Sequence, residues 1–346
     1  MRVVRFYAPG DIRVEDAPEP APGPGELKIR VRNCSTCGTD VKISRFGHHH
    51  IVPPRVMGHE IAGEIVDLGP QVTGWGAGDR VQVIAAIPCG RCPDCRRGQM
   101  TVCSRQESMG YHYDGGFAEY MIVPAKVLAV DGVNRIPDEV SFAAASVAEP
   151  LACVLNGQEL ARVGKSDDVV VMGAGPIGCL HVRMARAHGA ARVFLVELNA
   201  GRLAQAAGLV EPDEAICAAD TDVVQAVLDL TDGRGPDVVI TAAASRAAQE
   251  QALSMAARRG RISFFGGLPK DDPFIACDSN LVHYRELTIV GANGSSPAHN
   301  ASALELIATG RVRADDLITH RLPLESALDA IEIVGRGEAV KVTIEP

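Results

Sequence analysis

Four cysteines, Cys89, Cys92, Cys95 and Cys103, stand in the spacing C-x2-C-x2-C-x7-C, and no other stretch restricts its local fold so tightly. Four thiolates folded back within fifteen residues make a closed tetrahedral S4 cage, which suits Zn2+ better than any other common biological metal. Gly90 and Pro93 help the chain turn around an ion, and Arg91, Arg96 and Arg97 offset part of the charge of a Zn(Cys)4 centre. A full cage has no open coordination position, so this zinc is a structural staple. Disulfides are the first alternative. No apolar h-region follows Met1-Arg2, so no signal peptide is expected and a reducing cytoplasm is the expected compartment. A [4Fe-4S] cluster is the second, but the fourth Cys has the wrong spacing for a ferredoxin run and no Pro follows it. A zinc module for nucleic acid would need a basic face, against a net charge of -9 and a pI near 5.6.

A chain of 346 residues exceeds the size at which one core stops growing, so two domains are expected. No apolar run approaches the roughly eighteen residues of a membrane span. Up to about residue 150 the pattern is short strands and loops, with Leu27 to Val31 and Ile61 to Val66 reading as strands between turn clusters. From about Asp167 strands and helices alternate: a strand at Val169 to Met172, a helix from Pro176 to His188, and strands at Val193 to Val196, Asp237 to Ile240, Ile262 to Phe265 and Leu287 to Val290. That alternation predicts an α/β domain with a doubly wound parallel sheet. A helix at Ala301 to Thr309 and a strand at Val340 to Ile344 follow, and the last fifty or so residues are expected to pack back on the first domain.

The second domain announces its ligand. Gly173-Ala-Gly175-Pro-Ile-Gly178 follows a predicted strand and opens a predicted helix, as a dinucleotide fingerprint requires. Gly173 permits the tight turn, Gly175 lets the backbone approach a pyrophosphate, and Gly178 lets the helix lie close on the strand. Glu197 ends the next strand, where a carboxylate hydrogen-bonds ribose hydroxyls and repels a 2′-phosphate, which favours NAD over NADP. Arg202 nearby has two readings, stacking on adenine or meeting a phosphate. In the first domain, Cys37, His59 and Glu60 lie outside the cage and have the composition of an open, catalytic zinc site, although a lone His is more often a satisfied core or surface residue. The remaining Cys153, Cys179, Cys217 and Cys277 sit among apolar neighbours and read as buried thiols.

Cys37-Gly-Thr39-Asp40, Gly58-His59-Glu60, Gly78-Asp79-Arg80-Val81, the four-Cys lobe, Gly115-Gly116-Phe117-Ala118-Glu119-Tyr120, Glu149-Pro150 and the Gly173 fingerprint occur in the order of the zinc-dependent medium-chain dehydrogenases. The chain resembles that family over nearly its whole length, most of all the sorbitol (polyol) dehydrogenase branch, with threonine dehydrogenase close behind. The resemblance implies a GroES-like β-rich catalytic domain (1–152, structural zinc lobe about 88–105), a Rossmann NAD-binding domain (153–290) and a return to the catalytic domain (291–346), with the active site in the cleft between them. It implies two Zn2+ per chain and NAD. Cys37 and His59 match the catalytic zinc ligands, Glu60 and Glu149 the carboxylates that ligate or approach the metal, and Thr39 the hydroxyl that bonds the substrate oxygen. Ile177, Glu197 and Arg202 match NAD-contacting positions, and Phe265-Gly266-Gly267 and Asn293 to Ser295 match segments near the nicotinamide. The implied reaction is hydride transfer from a secondary alcohol to NAD with a bound zinc as Lewis acid. The implied assembly is a homo-oligomer, a tetramer ahead of a dimer, with no nucleic acid and no membrane as partner.

Two departures stand out. A His that relays protons in related enzymes is replaced by Lys42, and the Arg-Tyr pair that binds hydroxyls in the polyol branch aligns with Gly294-Ser295. The lost donors point away from a linear sugar alcohol and towards a bulkier polyol, a cyclitol or another secondary alcohol, with an L-threonine 3-dehydrogenase-like activity as the alternative. A reading of another class is a non-catalytic, zinc-stapled nucleotide-binding protein.

Overall fold

The computed structural model describes residues 1–346. Its internal contacts separate two compact units, one made of Met1–Ala152 with Gly294–Pro346, the other of Cys153–Asn293. The return to the first unit thus begins at Gly294, three residues beyond the expected 291.

The first unit is built on a sheet ordered Val133–Arg135, Arg80–Val83, Glu60–Leu68, Leu27–Ser35, Lys341–Glu345 and Ile318–Pro323, with Tyr120–Val123 also paired to Leu27–Ser35. Its hub, Leu27–Ser35, alternates as the sequence predicts: Leu27, Ile29 and Val31 turn inward while Arg30 and Arg32 face solvent. These side chains join Ile61, Ile65 and Phe117 in the main core. Each fully buried aliphatic chain there contributes roughly 1.5–3 kcal/mol of transfer free energy. The last strand joins this hub antiparallel, with Thr343 opposite Ser35, which places Lys341 beside the end of the hub strand.

The expectation of strands and loops alone up to residue 150 is corrected at several points. Gly38–Phe46 is a helix of nine residues, and Phe142–Ser146 and Ala148–Leu160 are helical too. Gly38, Thr39, Val41 and Ile43 are poor helix formers, so propensity hides the first of these. It is held instead by its start, where the Asp40 carboxylate accepts the Cys37 N–H at 2.8 Å, and by packing on the helix Ala327–Arg336. The helix expected from Ala301 begins at Pro297, because Ser296 caps it: the His299 N–H donates to Ser296 Oγ at 3.3 Å.

The second unit is a six-stranded, wholly parallel sheet ordered Glu214–Cys217, Arg192–Glu197, Asp168–Met172, Val238–Thr241, Arg261–Phe264 and Thr288–Gly291. In chain order this is third, second, first, fourth, fifth, sixth, the doubly wound arrangement in which ligands bind at the switch between the first and fourth strands. Asp168–Met172 is buried throughout, as a central parallel strand covered on both faces must be.

The turn after that strand shows three different demands on its glycines. Gly173 has φ +117, a Cβ on Gly178 would lie 1.8 Å from the Gly173 carbonyl oxygen, and a Cβ on Gly175 would meet nothing within 4 Å. Gly178→Ala is therefore expected to destabilise this unit by about 1–3 kcal/mol through forced backbone movement, whereas Gly175→Ala, at a helix N-cap, should cost no more than about 1 kcal/mol. Thermal melting of the two variants checks the contrast, and equal midpoints would contradict it.

Candidate active site

The hub strand ends at Ser35, and Cys37 follows it as the N-cap of helix Gly38–Phe46. His59 precedes the neighbouring strand, and Glu60 opens it, opposite Ser35 across the ladder. Two adjacent strand ends thus bring the Cys37 thiol, a His59 ring nitrogen and a Glu60 carboxylate oxygen within 4.8 Å of one another. Glu149, in the first turn of helix Ala148–Leu160, lies outside that set, yet it is buried and its charge acts on both His59 and Glu60. Thr39 Oγ1 stands 3.5 Å from the Cys37 sulfur.

Two residues to which sequence reasoning gave no role complete the site. Asp40 is fully buried, its Oδ1 lies 3.7 Å from His59 Nδ1, and that oxygen has no hydrogen-bond partner. It stands where a carboxylate orients a metal-binding imidazole. Burial works against charge on His59, but Asp40 and the Cys37 thiol outweigh it and push the imidazole up to about 10. Lys341 reaches in from the last strand, with Nζ 2.7 Å from Glu60 Oε1 and 2.5 Å from Oε2, and it also donates to the Thr36 carbonyl at 2.8 Å. Burial raises the Glu60 carboxyl, and the Lys341 ammonium pulls it back.

The charge balance bears on whether a cation fits. Asp40, Glu60 and Glu149 gather with the Cys37 thiol around Lys341 and His59, and Asp40, Glu60 and Lys341 are all at most 3% exposed. Anionic groups out of water are costly unless paired. A divalent cation on a thiolate, an imidazole and a carboxylate relieves that excess, and the donor set is that of an open Zn2+ site. The residues present therefore fit the metal.

The cage fits one as well. Cys92 Sγ lies 3.4 Å from Cys95 Sγ and 3.9 Å from Cys103 Sγ, against edges of about 3.8 Å for a tetrahedron with Zn–S near 2.3 Å. Backbone N–H groups of Cys89 and Arg105 point at Cys103 Sγ, and that of Cys92 points at Cys89 Sγ. Such donors favour thiolate: the Arg91 amide pushes Cys89 down to about 6, and the Cys95 amide lowers Cys92.

In the other unit, Glu197 ends the second strand and each of its oxygens is engaged. Oε2 accepts the Ala174 N–H at 2.9 Å, and Oε1 accepts those of Leu198 and Asn199 and a 2.6 Å bond from Arg202. Burial opposes ionisation, but the guanidinium and these amides hold the Glu197 carboxyl below its ordinary value. Gly175 caps the helix Pro176–Ala187 without a side-chain acceptor, and a Cβ there would meet nothing within 4 Å, as a helix start that receives an anion requires. Ile177 is half-buried on its first turn. Phe265 packs edge-on to the buried His181, and a Cβ on Gly266 would fall 2.5 Å from the Ala243 carbonyl oxygen, while Gly267 has open space. Asn293 accepts from Asn156 at its carbonyl and closes this unit. Ser295 belongs to the first unit, where its buried hydroxyl accepts from Asn300 Nδ2 at 3.0 Å. Among the other thiols Cys179 is buried as expected, Cys153 and Cys217 are half-buried, and Cys277 is exposed beyond the end of any strand.

A β-rich unit carrying an open and a closed thiolate donor set, together with a doubly wound nucleotide-type unit, is the make-up of a zinc-binding dehydrogenase. The chain belongs to that family. Residues 23–133 match the alcohol dehydrogenase GroES-like domain and residues 176–309 the zinc-binding dehydrogenase domain. A sorbitol dehydrogenase of Halalkalibacterium halodurans is 33% identical over 98% of this chain and 97% of its own length. An L-threonine 3-dehydrogenase of Pyrococcus horikoshii is 36% identical over 93% and 92%. The crystal structure of a zinc-binding dehydrogenase from Sinorhizobium meliloti bound to NADP superposes with a TM-score of 0.92 at 32% identity, covering 100% of this chain and 99% of that one. No helix is long and apolar enough to cross a membrane.

The Lys341–Glu60 pair generates a prediction. Lys341→Met strands a buried carboxylate and is expected to cost about 3–5 kcal/mol, while adding Glu60→Gln recovers most of the loss. Thermal denaturation of the two single variants and the double variant measures the coupling, and purely additive effects would contradict it.

Proposed function

We propose that this chain is a zinc-dependent dehydrogenase that oxidises a secondary alcohol of the polyol or cyclitol class to the ketone, with NAD as the hydride acceptor. The observation that carries the proposal is the Cys37, His59 and Glu60 donor set, with His59 and Glu60 buried and Lys341 held against Glu60. Zinc held by Cys37, His59 and a carboxylate supplies Lewis acidity at the alcohol oxygen. Thr39, next to the Cys37 sulfur, accepts the hydrogen bond of the substrate hydroxyl. Asp40 keeps the His59 ring turned towards the metal position. Glu149 supplies a second carboxylate whose charge acts on the same group.

Glu197 supports NAD over NADP. Its carboxylate is buried, ionised and fixed by three amides, so a 2′-phosphate would be brought against a charge that cannot move away. Arg202, the cation a 2′-phosphate would need, is already bound to that carboxylate. The relatives narrow the substrate. Sorbitol and L-threonine at carbon 3 both present a secondary alcohol beside a carbon bearing a polar group, and the likeness to threonine dehydrogenase keeps an amino alcohol as the second reading.

Two outcomes are expected. The purified protein contains two zinc ions per chain by metal analysis, and Cys92→Ser leaves about one and lowers the melting temperature. Cys37→Ser also leaves about one zinc, keeps the fold, and reduces NAD reduction at 340 nm by about 1,000-fold or more across a panel of polyols, cyclitols and amino alcohols. Undiminished turnover in Cys37→Ser would sink the proposal, and a faster reaction with NADP would reverse the cofactor assignment.

A further inference from the structure

The strands of the parallel sheet all begin at one end, and the glycine turn that follows Met172 lies at the other. At the starting end an open cleft of about 420 Å³ is lined by Arg162, Arg259, Arg261, Glu286 and Thr288. Arg261 opens the strand Arg261–Phe264, Thr288 opens the strand Thr288–Gly291, and the two are partners across the ladder. Arg259 and Glu286 stand two residues before them, with Arg259 Nε 3.5 Å from Glu286 Oε2. Arg162 comes from the turn after helix Ala148–Leu160, and its carbonyl accepts from Arg261 at 2.6 Å. All five residues belong to the second unit.

The three guanidinium groups are held to different degrees. Arg261 is fixed, because its second terminal nitrogen donates to Asp167 Oδ1 at 2.7 Å and only 19% of the side chain is exposed. Arg259 and Glu286 are 83% and 74% exposed, and an ion pair in that much water restrains neither side chain strongly. The Arg162 guanidinium has no hydrogen bond or ion pair within the chain. Glu286 and Asp167 together leave one of the three positive charges unbalanced, on a chain of net charge -9. Arg162, Arg259 and Glu286 also share a left-handed backbone, with φ of +51, +60 and +51. Glycine is the residue that takes that conformation without a steric penalty. Three charged side chains on one cleft therefore stand where the backbone alone favours glycine.

We propose that this cleft is an anion site for a small molecule carrying two or more phosphoryl groups, with Arg261 as its fixed floor and Arg162 and Arg259 closing over the phosphate oxygens. A guanidinium presents paired N–H groups that match two oxygens of one phosphoryl group, and the Thr288 hydroxyl adds a further donor. The volume lies within the range of about 300–1,000 Å³ for small-molecule sites, and three cations from two segments of chain suit a ligand whose charge is spread over more than one group. The length of strand Arg261–Phe264 sets this end of the sheet about 10–13 Å from the edge that carries the glycine turn. A dinucleotide at that turn and an anion in the cleft therefore occupy different sites. The assignment does not depend on the dehydrogenase reading.

The test titrates pyrophosphate into the zinc-loaded protein at low ionic strength with excess NAD present to keep the glycine turn occupied. Binding heat and melting temperature are recorded, and zinc content is measured alongside so that chelation is told from binding. The expected result is one pyrophosphate per chain with a raised melting temperature, weaker binding of inorganic phosphate, and loss of the signal towards about 0.5 M salt. In the Arg162→Gln/Arg259→Gln double variant the affinity falls about tenfold or more. Both side chains are exposed, so the melting temperature of that variant without ligand stays at the wild-type value. Arg162→Lys, which keeps the charge but not the paired donors, retains only part of the affinity. Absence of any heat or melting shift in the wild type overturns the site. Undiminished binding in the double variant also overturns it and assigns the pyrophosphate to another part of the chain.

Discussion

An ammonium group from the last strand, held within 2.7 Å of a carboxylate from the middle of the first unit, is the contact on which the arrangement of the open site turns. Lys341 and Glu60 are 281 residues apart and both are out of solvent. Separating such charges from water carries a penalty of several kcal/mol per ion, and only a close partner offsets it. Lys341 therefore has one stable position, against Glu60 and the Thr36 carbonyl. That position requires the last strand to be docked beside Leu27–Ser35, with Thr343 opposite Ser35. The carboxylate that faces Cys37 and His59 is consequently assembled only when the returning segment Gly294–Pro346 is in place. An interruption of the first unit by the nucleotide-type unit thus leaves its site dependent on both flanking pieces of sequence.

The same contact explains why the pocket is suited to a divalent cation rather than to a simple ion-pair network. Lys341 alone does not balance the three buried carboxylates Asp40, Glu60 and Glu149, and the unpartnered Asp40 Oδ1 marks where the deficit is felt. His59 responds by holding a proton well above its usual range. A divalent cation held by His59 and Cys37 would take the place of that proton, so the site would exchange one positive charge for a higher one. In the closed cage backbone amides lower the Cys89 and Cys92 thiols, while burial raises that of Cys95. Four sulfurs close the cage, whereas one sulfur, one imidazole and one carboxylate leave a coordination position free, the difference between a structural and a catalytic type of zinc site.

What was legible in the sequence was local in the chain. The cage lies within fifteen residues, the glycine turn within six, and the hub strand shows its period directly. The parallel sheet was readable because fully buried strands such as Val169 to Met172 form short apolar runs between helical stretches. Cys37, His59 and Glu60 were readable only through a family pattern, since their meeting depends on adjacent strand ends. Helix Gly38–Phe46 was missed because its residues are poor helix formers and a cap and a tertiary contact hold it. Lys341 carried no local signal, a lysine among apolar strand residues. The one available hint for Lys341 was that a charge opening a buried strand needs a partner.

The two departures from the family pattern fall in different surroundings. Lys42 is exposed on helix Gly38–Phe46, whereas His48, just beyond that helix, lies edge-on to Tyr111 and begins a run of imidazoles through His49 and His50 to His112. The Arg-Tyr pair of the polyol branch is replaced by Gly294-Ser295, and the Ser295 hydroxyl accepts from Asn300. A guanidinium binds by charge and adapts to a long chain of hydroxyls, and a serine hydroxyl already engaged by an amide replaces neither property.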